Sequence, residues 1–84
     1  MYYVYVLKSL GLKDKIYIGY TSDLNKRLKE HITGKNYTTA RILPVELVYY
    51  EVYKSKMDAQ NREKQLKQYG NALGHLKKRI NNCL

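Results

Sequence analysis

The segment VYVLKSLGLKDKIYIGYTSDL, residues 4–24, decides the fold of this 84-residue chain. It begins inside a run, residues 2–7, in which tyrosine alternates with branched aliphatic residues. Because that run is apolar on both faces, it predicts a strand at the centre of a sheet. Residues 9–14 contain glycine and aspartate and predict a turn. Residues 15–20 predict a second strand, so the two strands should form a hairpin.

The end of that segment leads into a predicted helix. Three apolar residues follow one another at spacings of four, which is typical of one helical face: Leu24, Leu28 and Ile32. Ser22 is expected to be the N-cap, with Asp23 favourable in the first turn near the positive end of the helix dipole. Gly34 is expected to end this helix.

The next part of the chain predicts a loop, a third strand and a second helix. Residues 35–44 are rich in threonine, end at the only proline and predict the loop. Residues 46–53, ELVYYEVY, predict the strand. Ser55 is expected to cap a helix over residues 56–69, which the following glycine and asparagine should end.

A short third helix is predicted over residues 72–80, which carry leucine and isoleucine at helical spacing. The predicted element order is therefore ββαβαα. This order indicates an α+β fold in which helices flank a small three-stranded antiparallel sheet. The length suits a single domain, residues 1–84.

The charge of the chain indicates a polyanionic partner. The net charge is +9, and the isoelectric point is near 9.7. Residues 54–84 carry eight Lys or Arg against two acids, a balance of +6, whereas residues 1–53 carry +3. Nucleic acid is the first expectation, and an anionic membrane surface is the second. The alternative explanation of this positive charge is a solvated helix face whose charge serves only solubility.

The cysteine content and the N-terminus favour a cytoplasmic protein. Cys83 is the only cysteine, so one chain can form neither a disulfide nor a cysteine zinc site. The N-terminus lacks a basic leader region, and Lys8 interrupts its apolar run. We therefore expect neither a signal peptide nor a membrane span.

Two polar residues lie at the edge of the apolar stripe of the first predicted helix. Arg27 and His31 are separated by four residues, so their side chains can converge. Lys26, Lys29 and Glu30 should point away from them. The structural alternative is an arginine that extends from the core edge to water and a half-buried histidine.

An acid holds the equivalent position on the second predicted helix. Glu63 lies beside the stripe formed by Ala59, Leu66 and Tyr69. It could form a structural salt bridge with Arg62, Lys67 or Arg27. It could instead bind a hard divalent cation through its carboxylate oxygens.

These residues together resemble the GIY-YIG nucleases. Tyr3-Val4-Tyr5 and, twelve residues later, Tyr17-Ile18-Gly19 are similar to the paired tripeptide that names the family, although Tyr3 replaces the first glycine. Arg27, His31 and Glu63 follow where the family's later motifs lie, Glu63 within AQNREKQLK. The resemblance covers residues 2–68 and is strongest to the small stand-alone bacterial members. A late asparagine of many members has three candidates here: Asn71, Asn81 and Asn82.

The resemblance implies a metal-dependent endonuclease that hydrolyses DNA phosphodiester bonds. It implies that Glu63 is the sole protein ligand of one Mg²⁺ or Mn²⁺ ion, and that Tyr17 is the general base or positions the water. Arg27 would contact the scissile phosphate, and Tyr5 would hydrogen-bond the phosphate or the water. His31 would assist proton transfer from Tyr17 or bind phosphate, and Gly19 would let the backbone turn closely beside the substrate.

The partner expected from charge and resemblance is DNA, with RNA as a further possibility. The candidate nucleic-acid contacts are four basic residues of the C-terminal half: Lys67, Lys77, Lys78 and Arg79. The chain has no added DNA-binding domain, so we expect structure-dependent cutting or a protein partner that supplies targeting. The alternative function is a nucleic-acid-binding module on the same fold with little or no catalysis.

Overall fold

The computed structural model describes the whole chain except Tyr69 and the side chain of Tyr37. Its elements follow the order β1 (Tyr2–Ser9), β2 (Ile16–Thr21), α1 (Leu24–Ile32), α2 (Tyr37–Ala40), β3 (Val45–Tyr53), α3 (Lys56–Lys67) and α4 (Asn71–Arg79). A single 3-10 turn, Asn81–Cys83, follows α4. The predicted α+β class and the predicted order of the longer elements are confirmed.

The three strands form one antiparallel sheet in the order β2-β1-β3, so β1 is the central strand as predicted. In the β1–β2 ladder Tyr5 lies opposite Gly19, and Leu7 lies opposite Tyr17. In the β1–β3 ladder Tyr5 lies opposite Tyr50. An irregularity in that ladder falls between Val6 and Leu7.

The sheet has two covered faces because successive side chains of a strand point to opposite sides. On one face, α3 and α4 pack against the aliphatic residues of β1 and β2. The buried members of this core are Val4, Val6, Ile18, Ala59, Leu66, Leu73, Leu76 and Ile80. On the other face, a smaller core of Tyr5, Leu7 and Val45 packs against Leu24 and Leu28 of α1. Tyr5 of β1 therefore belongs to the α1 side.

The first helix begins one residue later than predicted, because Asp23 rather than Ser22 is its N-cap. The carboxylate of Asp23 accepts a hydrogen bond from the backbone N–H of Lys26 at 3.1 Å. The Thr21 hydroxyl accepts a hydrogen bond from the N–H of Asp23 at 3.0 Å. This contact turns the chain out of β2 and leaves the aspartate at the capping position.

The predicted end of α1 is confirmed. Gly34 has a φ of 78°, which favours glycine because it has no Cβ. The N–H of Gly34 bonds to the carbonyl of His31, and the N–H of Lys35 bonds to the carbonyl of Glu30. These two bonds satisfy the last carbonyls of the helix and reverse the chain.

Two local predictions are wrong. The predicted loop 35–44 contains a helical turn, α2, whose N-cap Asn36 accepts a hydrogen bond from the N–H of Thr39 at 3.2 Å. Four residues are too few to show a helical apolar period, so only a capping signal was available. Ile32 leaves the predicted stripe, since 63% of its surface is exposed. The predicted stripe residue Tyr69 lies outside the described residues. Among the residues that are described, no helix is long and apolar enough to cross a membrane.

Candidate active site

The central feature of the α1 side is a tyrosine that lies against a glycine of the neighbouring strand. Only 1% of Tyr5 is exposed. A Cβ added at Gly19 would lie 2.4 Å from both Cζ and the hydroxyl oxygen of Tyr5. It would also lie 2.9 Å from a ring carbon of Tyr17. Gly19 sits inside β2, and its close approach is made to these two phenols.

A buried chain of hydrogen bonds leads from that tyrosine to α2. The hydroxyl oxygen of Tyr5 lies 2.7 Å from Nε2 of His31. The other ring nitrogen, Nδ1, lies 2.7 Å from the hydroxyl oxygen of Thr39. His31 and Thr39 are both fully buried. The structural alternative of a half-buried histidine is therefore wrong, because protein partners on both sides satisfy its two nitrogens.

The electrostatics of this chain keep both titratable groups neutral. Burial, with a further contribution from Tyr17, raises the pKa of Tyr5 well above its ordinary value of 10.0. Burial lowers the pKa of His31 below 6.5, and the positive charge of Arg27 lowers it further. Both shifts follow from the cost of placing a charge where water cannot reach it. Tyr5 thus keeps its hydroxyl proton, and His31 is a neutral imidazole at physiological pH.

Tyr17 forms the outer layer of the same cluster. Its ring centre is 6.3 Å from that of Tyr5 and 5.0 Å from that of His31. Tyr17 is half-buried, so part of the phenol faces solvent. The ammonium of Lys67 lies 5.8 Å from the centre of the Tyr17 ring, within the range of a cation–π contact.

The same lysine connects this tyrosine to the acid of α3. Nζ of Lys67 lies 3.2 Å from Oε2 of Glu63, whose side chain is 21% exposed. Of the three salt-bridge partners considered for Glu63, the structure selects Lys67. Arg27 instead pairs with Glu30, with 3.5 Å between Nε and Oε1. Arg27 keeps 41% of its side chain exposed, so its guanidinium remains open to a ligand.

Arg62, the remaining candidate partner, fixes α3 to the sheet. Its guanidinium binds both carboxylate oxygens of Glu51 on β3, at 2.9 Å and 3.0 Å. The hydroxyls of Tyr49 and Tyr53 donate to the same carboxylate. Burial alone would raise the pKa of Glu51, but the hydrogen bonds from Arg62 and the two tyrosines outweigh it and lower that pKa. Since Glu63 follows Arg62 directly, this contact sets the rotation of the helix that presents Glu63.

The comparison with protein families agrees with this arrangement. The family described as the GIY-YIG catalytic domain matches residues 1–81. The chain belongs to the GIY-YIG family. Membership indicates an endonuclease-type domain whose substrate is a nucleic acid.

Similar proteins come from bacteria. A UPF0213 protein of Clostridium perfringens is 45% identical over 69 residues, which cover 80% of this chain and 71% of the relative. A UPF0213 protein of Streptococcus agalactiae is 46% identical over 68 residues, which cover 79% of this chain and 74% of the relative. These relatives form a small stand-alone GIY-YIG group. No solved structure matches the chain.

The donor groups of this GIY-YIG domain fit a hydrated divalent cation better than a protein cage. Within the described part of the chain, no three His, Cys, Asp or Glu residues lie together as a possible metal site. Glu63 offers one partly exposed carboxylate. Mg²⁺ keeps several waters and is commonly held by one or two carboxylates together with substrate phosphate. A single-carboxylate site is therefore chemically reasonable for Mg²⁺ or Mn²⁺.

The basic residues predicted to contact nucleic acid fall in two places. Lys67 lies over Tyr17, inside the cluster already described. Lys77, Lys78 and Arg79 are exposed in the last turn of α4. An open cavity of about 700 Å³ reaches from Lys77 to the β1–β2 hairpin. Its lining includes three further lysines: Lys8, Lys13 and Lys15.

The structure brings most of the predicted site together and adds residues that the sequence analysis missed. Tyr5, Tyr17 and His31 lie in mutual ring contact. Thr39 was missed, although the Asn36 cap three residues earlier was a readable signal. Glu51 was also missed, and nothing in its own strand indicated that it would pair with a helix eleven residues later.

Proposed function

We propose that this protein is a metal-dependent endonuclease that hydrolyses DNA phosphodiester bonds, with cutting that depends on DNA structure more than on sequence. One observation carries the proposal beyond family membership. Lys67 lies at once 3.2 Å from the Glu63 carboxylate and 5.8 Å from the centre of the Tyr17 ring. A hard anionic ligand and a partly exposed phenol therefore share one surface, as phosphodiester hydrolysis requires.

Three groups at this surface are proposed to act on the substrate. Tyr17 accepts a proton from the attacking water or positions that water. Lys67 lies over its ring, where a positive charge favours this transfer. Arg27 binds the scissile phosphate through its fork of N–H donors. Its guanidinium can exchange the exposed, weak contact with Glu30 for a phosphate.

Tyr5 and His31 are proposed to act from beneath this surface. Their polar atoms are buried and bonded to each other, which leaves no hydroxyl or imidazole nitrogen facing a phosphate. Both rings pack against Tyr17 and restrict its position. We therefore assign them support of Tyr17 in place of the direct phosphate contacts expected from the resemblance.

Glu63 is proposed to hold one Mg²⁺ or Mn²⁺ ion. When bound, such an ion polarises a phosphoryl oxygen and stabilises negative charge that develops during hydrolysis. The carboxylate is presented at the edge of α3 because the Arg62–Glu51 contact fixes that helix. Lys67 neutralises Glu63 in the absence of other cations.

The charge distribution supports DNA as the partner. The basic end of α4 and the lysine-lined cavity at the hairpin extend a positive surface along the domain. Such a surface binds the phosphate backbone without reading the bases. Target choice would then come from DNA shape or from a protein partner, and RNA is the alternative substrate. We propose the cytoplasm as the compartment.

The experiment that tests the function compares two variants that break the same ion pair. Glu63→Gln removes the carboxylate, whereas Lys67→Gln removes the lysine and keeps the carboxylate. Each protein is incubated with single-stranded, duplex and branched DNA in Mg²⁺ or in EDTA. We expect wild-type cleavage of at least one substrate in Mg²⁺ only, none by Glu63→Gln, and slower but still Mg²⁺-dependent cleavage by Lys67→Gln, because Lys67 lies over Tyr17 while Glu63 is kept.

Other outcomes are equally informative. Cleavage by Glu63→Gln at the wild-type rate would contradict the metal role of Glu63. DNA binding by the wild type without cleavage of any substrate would favour the binding-module alternative. Both variants should fold, since an exposed i,i+4 ion pair contributes only about 0.3–0.5 kcal/mol.

A further inference from the structure

We propose that Thr39 is a positioning residue that holds His31 in the tautomer with its proton on Nδ1, so that Nε2 accepts the hydrogen bond of Tyr5. The order of groups is Thr39, His31, Tyr5 and then Tyr17, from the interior towards the surface. The tautomer is a property of the folded chain alone. Its consequence for catalysis rests on the proposed function.

The geometry leaves little freedom in this chain of hydrogen bonds. The two contacts of the imidazole are each 2.7 Å long. Thr39 and His31 are fully buried, and Tyr5 is 1% exposed. Every buried polar side-chain atom in the described part of the chain has a hydrogen-bond partner. Three hydrogens, those of the two hydroxyls and of the neutral imidazole, are therefore distributed over two contacts.

The position of one proton decides the others. Tyr5 is neutral, because burial raises the pKa of its phenol. The hydroxyls of Tyr5 and Thr39 each have only His31 as a hydrogen-bond partner among the described residues. The phenol is the stronger acid of the two and hence the stronger donor, so its proton points at Nε2. A neutral imidazole that accepts at Nε2 carries its proton on Nδ1. That proton is then donated to the hydroxyl oxygen of Thr39.

The local fold explains why a threonine occupies this place. Gly34 reverses the chain after α1, and Asn36 caps the single turn of α2 by accepting from the N–H of Thr39. The N–H of Ile42 bonds to the carbonyl of Thr39 and closes the turn on its other side. The backbone of Thr39 is thus held from both directions, which aims its hydroxyl at the imidazole.

The opposite tautomer would disturb the cluster at the surface. With a proton on Nε2, the Tyr5 oxygen would have to accept, and its own hydrogen would be left as a buried donor without an acceptor unless the phenol moved. Tyr5 cannot move towards β2 without contacting the backbone of Gly19. Its ring is also in contact with that of Tyr17. A wrong tautomer is therefore expected to displace Tyr17.

The groups around the imidazole set the conditions of the test. Arg27 lowers the pKa of His31 and Glu30 raises it, after the larger lowering by burial. Tyr5 and Tyr17 are the titratable rings in contact with it. At pH 7.5 the imidazole is neutral, so a nitrogen-15 spectrum of histidine-labelled protein reads the tautomer directly. His75, the other histidine, is exposed and serves as an internal reference.

Three variants separate the hydroxyl from the fold. Thr39→Val removes the acceptor and keeps the shape, whereas Thr39→Ser keeps the hydroxyl. Thr38→Val makes the same change at the exposed neighbour in α2. We expect wild type, Thr39→Ser and Thr38→Val to show the proton on Nδ1 of His31, and Thr39→Val to lose that signature. On a cleaved substrate, Thr39→Val should lower kcat about tenfold with KM nearly unchanged, as for loss of a supporting hydrogen bond.

The nitrogen-15 spectrum tests the role of Thr39, and the cleavage assay tests the proposed function independently. A wild-type spectrum with the proton on Nε2 overturns the proposal, even if Thr39→Val does not fold. An unchanged His31 spectrum in Thr39→Val also overturns it. If no variant and no wild type cleaves DNA, the proposed function fails while the spectra still decide the role of Thr39.

Discussion

The ring of Tyr5 occupies the volume that a side chain at position 19 would need. A Cβ at Gly19 would stand 2.4 Å from the hydroxyl oxygen of Tyr5, far inside van der Waals contact. The glycine therefore serves the tyrosine, and through it the hydrogen bond to His31. The absence of a side chain at Gly19 and the burial of Tyr5 therefore explain each other.

Gly19→Ala should abolish most cleavage and destabilise the domain. The new methyl group must displace Tyr5, which breaks the buried hydrogen bond and overpacks the smaller core, at a cost of about 1–3 kcal/mol. Thermal unfolding and cleavage are measured together. Gly74→Ala is the control, because nothing lies within 4 Å of its Cβ position in α4. That control should stabilise the protein by about 0.5–1 kcal/mol, since alanine is the better helix residue. Wild-type stability in Gly19→Ala would contradict the close approach.

Glu51→Gln should lower the free energy of unfolding by about 2–3 kcal/mol. The change leaves Arg62 without its anionic partner in a site where the two side chains are only 23% and 15% exposed. This figure is below the 3–5 kcal/mol typical of fully buried pairs. It corresponds to a decrease in Tm of about 10–20 °C for a domain of this size. Glu46→Gln, on the exposed part of the same strand, should change Tm by little.

The difference between wild type and Glu51→Gln should depend on pH. The pKa of Glu51 is lowered on folding from 4.5, so its charged form is favoured in the folded state. The stabilisation is then fully present above about pH 4.5 and is lost as pH falls through the folded pKa. Urea unfolding at pH 7 and at steps below 4.5 measures the gap. A gap that widened in acid would refute the ion pair.

Arg27→Ala should slow cleavage by about 10²–10³-fold and weaken DNA binding far less. The reason is that charge on the phosphate and leaving oxygen grows in the transition state, where a positioned guanidinium matters most. The fold should be intact, because the contact with Glu30 is exposed. Lys29→Ala removes an exposed charge from the same helix and should leave the rate unchanged. Equal losses of rate and affinity in Arg27→Ala would make Arg27 a docking residue.

Duplex binding should weaken steeply with salt. A protein that contacts about four phosphates gives a log–log slope of about −3 to −4. Combined replacement of Lys77, Lys78 and Arg79 by alanine should flatten the slope, because these residues form the basic end of α4. Replacement of Lys26, Lys29 and Lys35 removes the same charge elsewhere. If both triple variants flatten the slope equally, binding is diffuse and α4 has no special part in it.

The sequence predicted the sheet and the longer helices because their signals are local. Alternation in β1, spacings of four in α1 and the Ser55 cap of α3 are readable within one segment. It also placed His31 at the edge of the face of α1 that packs on the sheet. It could not predict the full burial of His31, which depends on Tyr5, 26 residues earlier, and on Thr39 in an unpredicted turn.

The salt-bridge partner of Glu63 could likewise not be predicted from local sequence. Spacing allowed Arg62, Lys67 or Arg27, and no local rule chose among them. The choice depends on Glu51, which binds Arg62 from another element and leaves Lys67 for Glu63. Charge pairing in a basic chain is thus settled by which acid each helix meets after the sheet has formed. The metal-ligand role of Glu63 remains a prediction from the resemblance and from its exposure.

The central position of β1 has a consequence for how this site becomes exposed to solvent and unfolds. Tyr5 sits on the strand that is hydrogen-bonded on both sides, whose amide hydrogens should exchange with solvent only when the entire domain opens. Fraying of β2 or β3 alone should therefore leave the backbone of Tyr5 protected from solvent. Warming should leave the cluster intact up to the cooperative transition and then remove it at once. We therefore expect no partially melted state in which Tyr17 keeps its place.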